Sequence, residues 1–117
     1  MSTPDADCIF CKIAAGELGT TFVGESDLAV AFDDLNPQAP VHVLLVPKQH
    51  IASIAAVTSE DQAVLADLVQ LANQVARDRG IDQSGYRLLA NVGPDAGQTV
   101  FHLHLHLLGG KELGALA

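Results

Sequence analysis

Val100-Phe101-His102-Leu103-His104-Leu105-His106-Leu107-Leu108 alternates histidine with leucine over most of its length. Side chains on an extended strand point alternately to its two faces. A strand over residues 100–108 therefore sends Leu103, Leu105 and Leu107 into a core and lines its other face with His102, His104 and His106. Three of the chain's five histidines lie in this one row. One histidine there would read as a satisfied polar group; three in register point to chemistry.

Two kinds of chemistry suit the row. His-x-His on a strand can supply two zinc ligands. A neutral imidazole can also attack phosphorus while its neighbours position it or donate protons. The preceding loop, Gly93-Pro-Asp-Ala-Gly97 followed by Gln98 and Thr99, offers backbone N–H groups, an amide and a hydroxyl. These are neutral donors suited to phosphate oxygens. A purely metal-dependent site would bring carboxylates there instead.

Further from the row, residues 86–92 and 42–46 read as strands, the latter closed by Pro47. Residues 21–23 and 28–32 read as a strand pair across a turn near residues 24–27. One long helix follows Thr58, a good N-cap, with Glu60 and Asp61 in its first turn. Its apolar stripe is Val64, Leu68, Leu71 and Val75, and it ends near Arg79 with Gly80 just beyond. A short helical turn over residues 8–15 stops at Gly16. This order predicts an α+β domain: a mainly antiparallel five-stranded sheet, one long helix on one face, and a short N-terminal helix. The expected organisation is a single domain over residues 1–117, with residues 1–7 a loose terminus.

Composition narrows the partners. The chain has 117 residues, 49% of them hydrophobic, so one core can form. The net charge is −8 and only six residues are Lys or Arg, which argues against a nucleic-acid partner. No apolar run reaches membrane-span length, so no membrane partner is expected. The first residues show neither a basic n-region nor an apolar h-region, giving a cytoplasmic expectation. Cys8 and Cys11 are two residues apart, which leaves half of a metal site, a redox pair or two small buried side chains open.

The segment from Asn91 through His102-Leu-His-Leu-His106 to Leu108 resembles the histidine triad (HIT) superfamily. Cys8-Ile-Phe-Cys-Lys-Ile13, Ala31-Phe-Asp-Asp-Leu-Asn-Pro-Gln-Ala-Pro-Val-His42 and Val46-Pro-Lys-Gln-His50 extend the likeness over nearly the whole chain. The ending Leu108-Gly-Gly-Lys111 is similar to the Hint branch. The resemblance implies a HIT-like fold, a homodimer with the long helix or nearby surface at its interface, and a purine nucleotide substrate of the AMP type. It implies hydrolysis of nucleoside phosphoramidates through a nucleotidyl-histidine intermediate on His104. His106 would contact phosphate and His42 would close the site. Asn91, Gly97, Gln98 and Thr99 would contact phosphate and leaving group; Thr99 stands where many Hint proteins have Ser. Asp34 would accept the ribose hydroxyls, with Leu35 beside it and Ile9, Phe10 and Phe32 around the base.

The resemblance also implies a structural zinc site of Cys8, Cys11, His50 and His102, as in bacterial HIT proteins, with no metal required for catalysis. Within the same superfamily, the alternatives are a dinucleoside polyphosphate hydrolase or a nucleotidyltransferase. Outside those, a mainly nucleotide-binding regulatory protein or a histidine-rich metal enzyme remains. The tail from Lys111 to Ala117 lacks the tryptophan that many Hint proteins carry there.

Overall fold

The run Val41–Pro47, apolar except for His42, forms the strand on which the others are built. The computed structural model describes residues 7–116, so all but the last residue of the expected loose terminus lie outside it. Strands β1 (Gly24–Glu25), β2 (Ala29–Asp33), β3 (Val41–Pro47), β4 (Tyr86–Leu89) and β5 (Leu105–Gly109) form one sheet in the order β1-β2-β3-β5-β4. Every neighbouring pair is antiparallel. The α+β architecture is as expected: a short helix α1 (Ile9–Ala14) and a long helix α2 (Gln62–Asp78) complete it.

All of β3 is buried because both its faces are covered. Val41, Val43 and Leu45 join Ala29, Ala31, Leu103, Leu105, Leu107 and the α2 residues Leu68, Leu71 and Val75 in the main core. Leu44 and Val46, on the other face, pack with Val30, Phe32 and the α1 residues Phe10 and Ile13. Coverage on both faces removes the polar–apolar alternation a half-exposed strand would show. The histidines share the α1 face. His106 lies opposite Leu44 and His42 opposite Leu108 in the β3–β5 register, which makes His42 and His106 diagonal neighbours.

Helix α2 begins as its sequence suggests, one step later. Thr58 and Asp61 form a capping box around a 3-10 turn at Ser59–Asp61, from which α2 continues. At the other end, Gly80 takes a φ of 73°, which a side chain would oppose. Among the described residues, no helix is long and apolar enough to cross a membrane.

Three expected strands are displaced or shortened. Residues 21–23 are not a strand; β1 starts at Gly24, and the turn moves to residues 26–28, where Ser26 N–H donates to the Ala29 carbonyl at 2.9 Å. Gly24 crosses directly over α2: a Cβ there would lie 3.1 Å from both Leu71 Cδ1 and Val75 Cγ2. Strand β4 stops at Leu89 instead of residue 92. The histidine strand starts at Leu105, so residues 100–104 lie outside the ladder. They are tied elsewhere: Leu103 N–H donates to the Ile51 carbonyl at 2.6 Å, and the His102 ring meets the Pro47 carbonyl at 2.9 Å. The side-chain alternation survives this change, because Leu103, Leu105 and Leu107 all enter the same core.

Candidate active site and metal centre

The row of histidines is organised by main-chain groups. His104 Nδ1 lies 2.7 Å from the carbonyl oxygen of His102. A carbonyl only accepts, so Nδ1 of His104 carries the hydrogen and Nε2 of the neutral ring is a bare lone pair. Among the described residues, no buried side-chain nitrogen or oxygen lacks a partner. Nδ1 is the only His104 ring atom with a hydrogen bond, so Nε2 reaches the surface. The ring is held edge-on by Phe10, with centroids 5.0 Å apart and planes at 90°. Phe10 packs in the same way against His102, at 6.1 Å and 72°. One aromatic side chain of α1 thus fixes two adjacent members of the row.

The same reasoning places the hydrogens on His42 and His106. The main-chain N–H of Gln38 donates to His42 Nδ1 at 3.0 Å, so neutral His42 carries its hydrogen on Nε2. That atom lies 2.9 Å from His106 Nδ1 and 3.4 Å from Asp34 Oδ2. His106 therefore accepts at Nδ1 and keeps its own hydrogen on Nε2. Burial lowers the His106 imidazole from 6.5 to about 4, with His104 and His42 adding to the effect and Asp34 opposing it. His106 is therefore neutral at physiological pH. A bare nitrogen and an N–H donor on neighbouring rings, 5.1 Å apart at their centroids, suit attack at an electrophile whose oxygens need a donor.

A second cluster lies at the start of the row. Cys8 Sγ is 3.2 Å from His102 Nδ1, and Cys11 Sγ is 3.3 Å from His50 Nδ1 and 3.4 Å from His102 Nδ1. The two Nδ1 atoms are 3.2 Å apart. Zinc bonds to nitrogen and sulfur imply ligand separations of about 3.3–3.8 Å around a tetrahedron, close to these values. The protonation fits as well. His102 Nε2 donates to the Pro47 carbonyl, which leaves Nδ1 a lone pair facing both sulfurs. Burial lowers His102 from 6.5 to about 4, opposed by the Pro47 hydrogen bond and reinforced by His50 and His104. Cys8, Cys11, His50 and His102 are thus a group that can hold a metal ion.

Asp34, His42 and His106 also converge closely enough for a metal. Their protonation opposes one. With Gln38 N–H occupying Nδ1 of His42, the nitrogen turned toward the cluster is the one that bears the hydrogen. His42 and His106 form a hydrogen-bonded relay with the Asp34 carboxylate beside it.

The remaining expected residues fall around these clusters with different commitments. The Gln98 side chain is buried and spent on the backbone: Oε1 accepts from Gly93 N–H at 2.9 Å, and Nε2 donates to the Ala52 and Val100 carbonyls at 3.0 and 3.1 Å. It shapes the loop. Gly97 sits beside it with a φ of 87°, ending a 3-10 turn at Pro94–Ala96. Thr99 is exposed and lines an open groove of about 530 Å³ with Cys8, Ile9, His50, Ala52 and Phe101. Asn91 is half-buried just after β4. Asp34 accepts from Asn36 N–H at 2.8 Å through Oδ1, an Asx turn, while Oδ2 faces His42. Leu35 is fully exposed, whereas Phe10 and Phe32 are buried against each other with centroids 5.9 Å apart. Sequence reasoning missed Gln38 and Pro47. Both act through the main chain, where residue type gives no signal beyond the prolines flanking Gln38.

A family model described as HIT domain matches residues 15–113. An uncharacterized HIT-like protein of Synechocystis sp. is 52% identical over 105 residues, covering 90% of this chain and 91% of that protein. The purine nucleoside phosphoramidase of Escherichia coli (strain K12) is 39% identical over 110 residues, covering 94% and 92%. Among solved structures, a HIT family hydrolase from Clostridium thermocellum superposes with a TM-score of 0.91 at 49% identity, covering 95% of this chain and 96% of that one. Cys8 and Cys11 precede the residues that the family model matches.

Proposed function

Because this chain belongs to the HIT domain family, we propose that it hydrolyses purine nucleoside phosphoramidates through a covalent intermediate on His104. The observation that carries the reading is the bare Nε2 of His104, created by the 2.7 Å hydrogen bond from its Nδ1 to the His102 carbonyl. The kinship with the E. coli phosphoramidase supports the choice of substrate class.

In the first step the Nε2 lone pair attacks the α-phosphorus, a P–N bond to His104 forms, and the P–N bond to the amine breaks. The ring gains positive charge, and its Nδ1–H donates more strongly to the His102 carbonyl as that charge develops. His106 offers its Nε2–H to a phosphate oxygen. The departing amine takes a proton, and Thr99 is the hydroxyl we assign to its side of the site. Water then attacks phosphorus, releasing nucleoside monophosphate and restoring the lone pair. Asn91, Gly97 and the Gln98-shaped loop contact the phosphate, and Asp34 and Leu35 face the ribose, with Ile9, Phe10 and Phe32 around the base.

Cys8, Cys11, His50 and His102 would hold a structural zinc ion, with all four positions filled by protein and two thiolates balancing its charge. When bound, it ties α1 to the start of the histidine row. The assembly we propose is a cytoplasmic homodimer, checked by light scattering of the purified protein.

Assay with adenosine 5′-phosphoramidate tests the activity. We expect AMP release by the wild type and, in His104→Ala, a fall on the order of 10⁴-fold or more, as for a removed nucleophile. A His104→Ala variant retaining wild-type turnover sinks the reading. A panel including diadenosine polyphosphates and adenosine phosphosulfate separates the phosphoramidase from its superfamily alternatives.

A further inference from the structure

We propose that the main-chain N–H of Gln38 is a positioning group that decides which nitrogen of His106 carries the proton. Neutral imidazole has two tautomers of similar energy, and the hydrogen bond at one nitrogen selects between them. Gln38 N–H donates to His42 Nδ1 at 3.0 Å, which puts the His42 hydrogen on Nε2. That hydrogen points into His106 Nδ1 at 2.9 Å, which puts the His106 hydrogen on Nε2. Two rings in series carry the choice from a loop amide to the face beside His104.

The loop is built to present this donor. Pro37 and Pro40 have no N–H, so Gln38 and Ala39 hold the only amide hydrogens between Asn36 and Val41. Asp34 Oδ1 accepts from Asn36 N–H at 2.8 Å, Gln38 Nε2 donates to the Asn36 carbonyl at 3.0 Å, and Asp34 N–H donates to the His42 carbonyl at 2.9 Å. These three bonds fold residues 34–38 over the His42 ring. Without the Gln38 donor, His106 can turn its hydrogen toward His42 and present a bare lone pair at Nε2. Such a nitrogen repels phosphate oxygens.

The Asp34 carboxylate is the competing cause, since Oδ2 lies 3.4 Å from His42 Nε2. Oδ2 makes no hydrogen bond with that nitrogen and favours the same tautomer by charge alone, whereas the Gln38 donor bonds Nδ1 directly and excludes the other.

The proton map is independent of the substrate; only its kinetic consequence rests on the proposed phosphoramidase reading. Long-range ¹H–¹⁵N spectra of the imidazoles in the substrate-free protein at neutral pH read the map directly. We expect Nδ1 unprotonated and Nε2 protonated in both His42 and His106. A hydrogen on His42 Nδ1 in the wild type overturns the proposal, whatever any variant does. Gln38→Pro removes the donor and should shift both rings toward tautomer mixtures. It should lower kcat by about 10-fold, the effect of one neutral hydrogen bond, with a smaller change in KM. Gln38→Ala keeps the N–H and should keep both tautomers, as should Asp34→Asn. Unchanged spectra in a folded Gln38→Pro, or a switched tautomer in Gln38→Ala or Asp34→Asn, overturns it. If the wild type shows the expected map but no phosphoramidase activity, the functional reading fails and the positioning role stands.

Discussion

The two ends of the histidine row hold clusters that look alike by distance and differ in where their hydrogens sit. At the His102 end, Pro47 takes the Nε2 hydrogen, and a lone pair faces two thiols and a second imidazole. At the His106 end, Gln38 supplies a hydrogen to Nδ1 of His42, and the inner nitrogen keeps its own. One main-chain acceptor makes a ligand set; one main-chain donor makes a relay. Proximity of ligating atoms does not define a metal site until the tautomers are assigned.

The largest expected effect separates the clusters by metal content. Cys11→Ser should release the ion and lower the melting temperature by about 10 °C or more, since binding energy at a structural zinc site contributes directly to folding. His42→Asn should retain one ion per chain. Elemental analysis of protein purified without chelator reads both, and metal loss from His42→Asn breaks the distinction. Next in size, His42→Asn or His106→Asn should lower kcat by about 10²-fold while leaving the ion in place. Equal loss of turnover and metal in either variant would show that the clusters are one unit.

A pH series sharpens the relay end. The folded His106 imidazole titrates at about 4, below its unfolded value of 6.5. Between those values the unfolded chain binds more protons than the folded one. The stabilising contribution is therefore complete above pH 6.5 and lost progressively as pH falls toward 4. Melting temperatures of the wild type should fall more steeply across that window than those of His106→Asn. Parallel slopes refute it. The smallest effect is at the shared wall: Phe10→Leu should cost about 1 kcal/mol by denaturant titration, and weaken metal retention and kcat together by only a few-fold.

Much of this arrangement was legible from side chains. The alternation of leucine and histidine placed the core and the site on opposite faces, and Val64, Leu68, Leu71 and Val75 located α2. The spacing of Cys8 and Cys11, with His50 and His102, gave the ligand set through the HIT likeness. What stayed hidden depends on partners and on the main chain. Residues 100–104 look like strand, but Leu103 bonds Ile51 and His102 bonds Pro47 instead of a ladder neighbour. The three backbone partners of the Gln98 amide, Gly93 N–H and the carbonyls of Ala52 and Val100, carry no signal in the sequence. The carbonyls and amide that set each tautomer belong to His102, Pro47 and Gln38, whose side-chain chemistry says nothing about them.

The strand order β1-β2-β3-β5-β4 puts the final strand between two made earlier. During synthesis, β3 and β4 emerge with a gap between them that only residues 105–109 fill. A nascent chain halted before that point has two helices, the β1-β2-β3 strands and an unpaired β4, and its unfilled edges invite association with other chains. The row of three histidines thus takes its place only when the strand that seats it between β3 and β4 has been made.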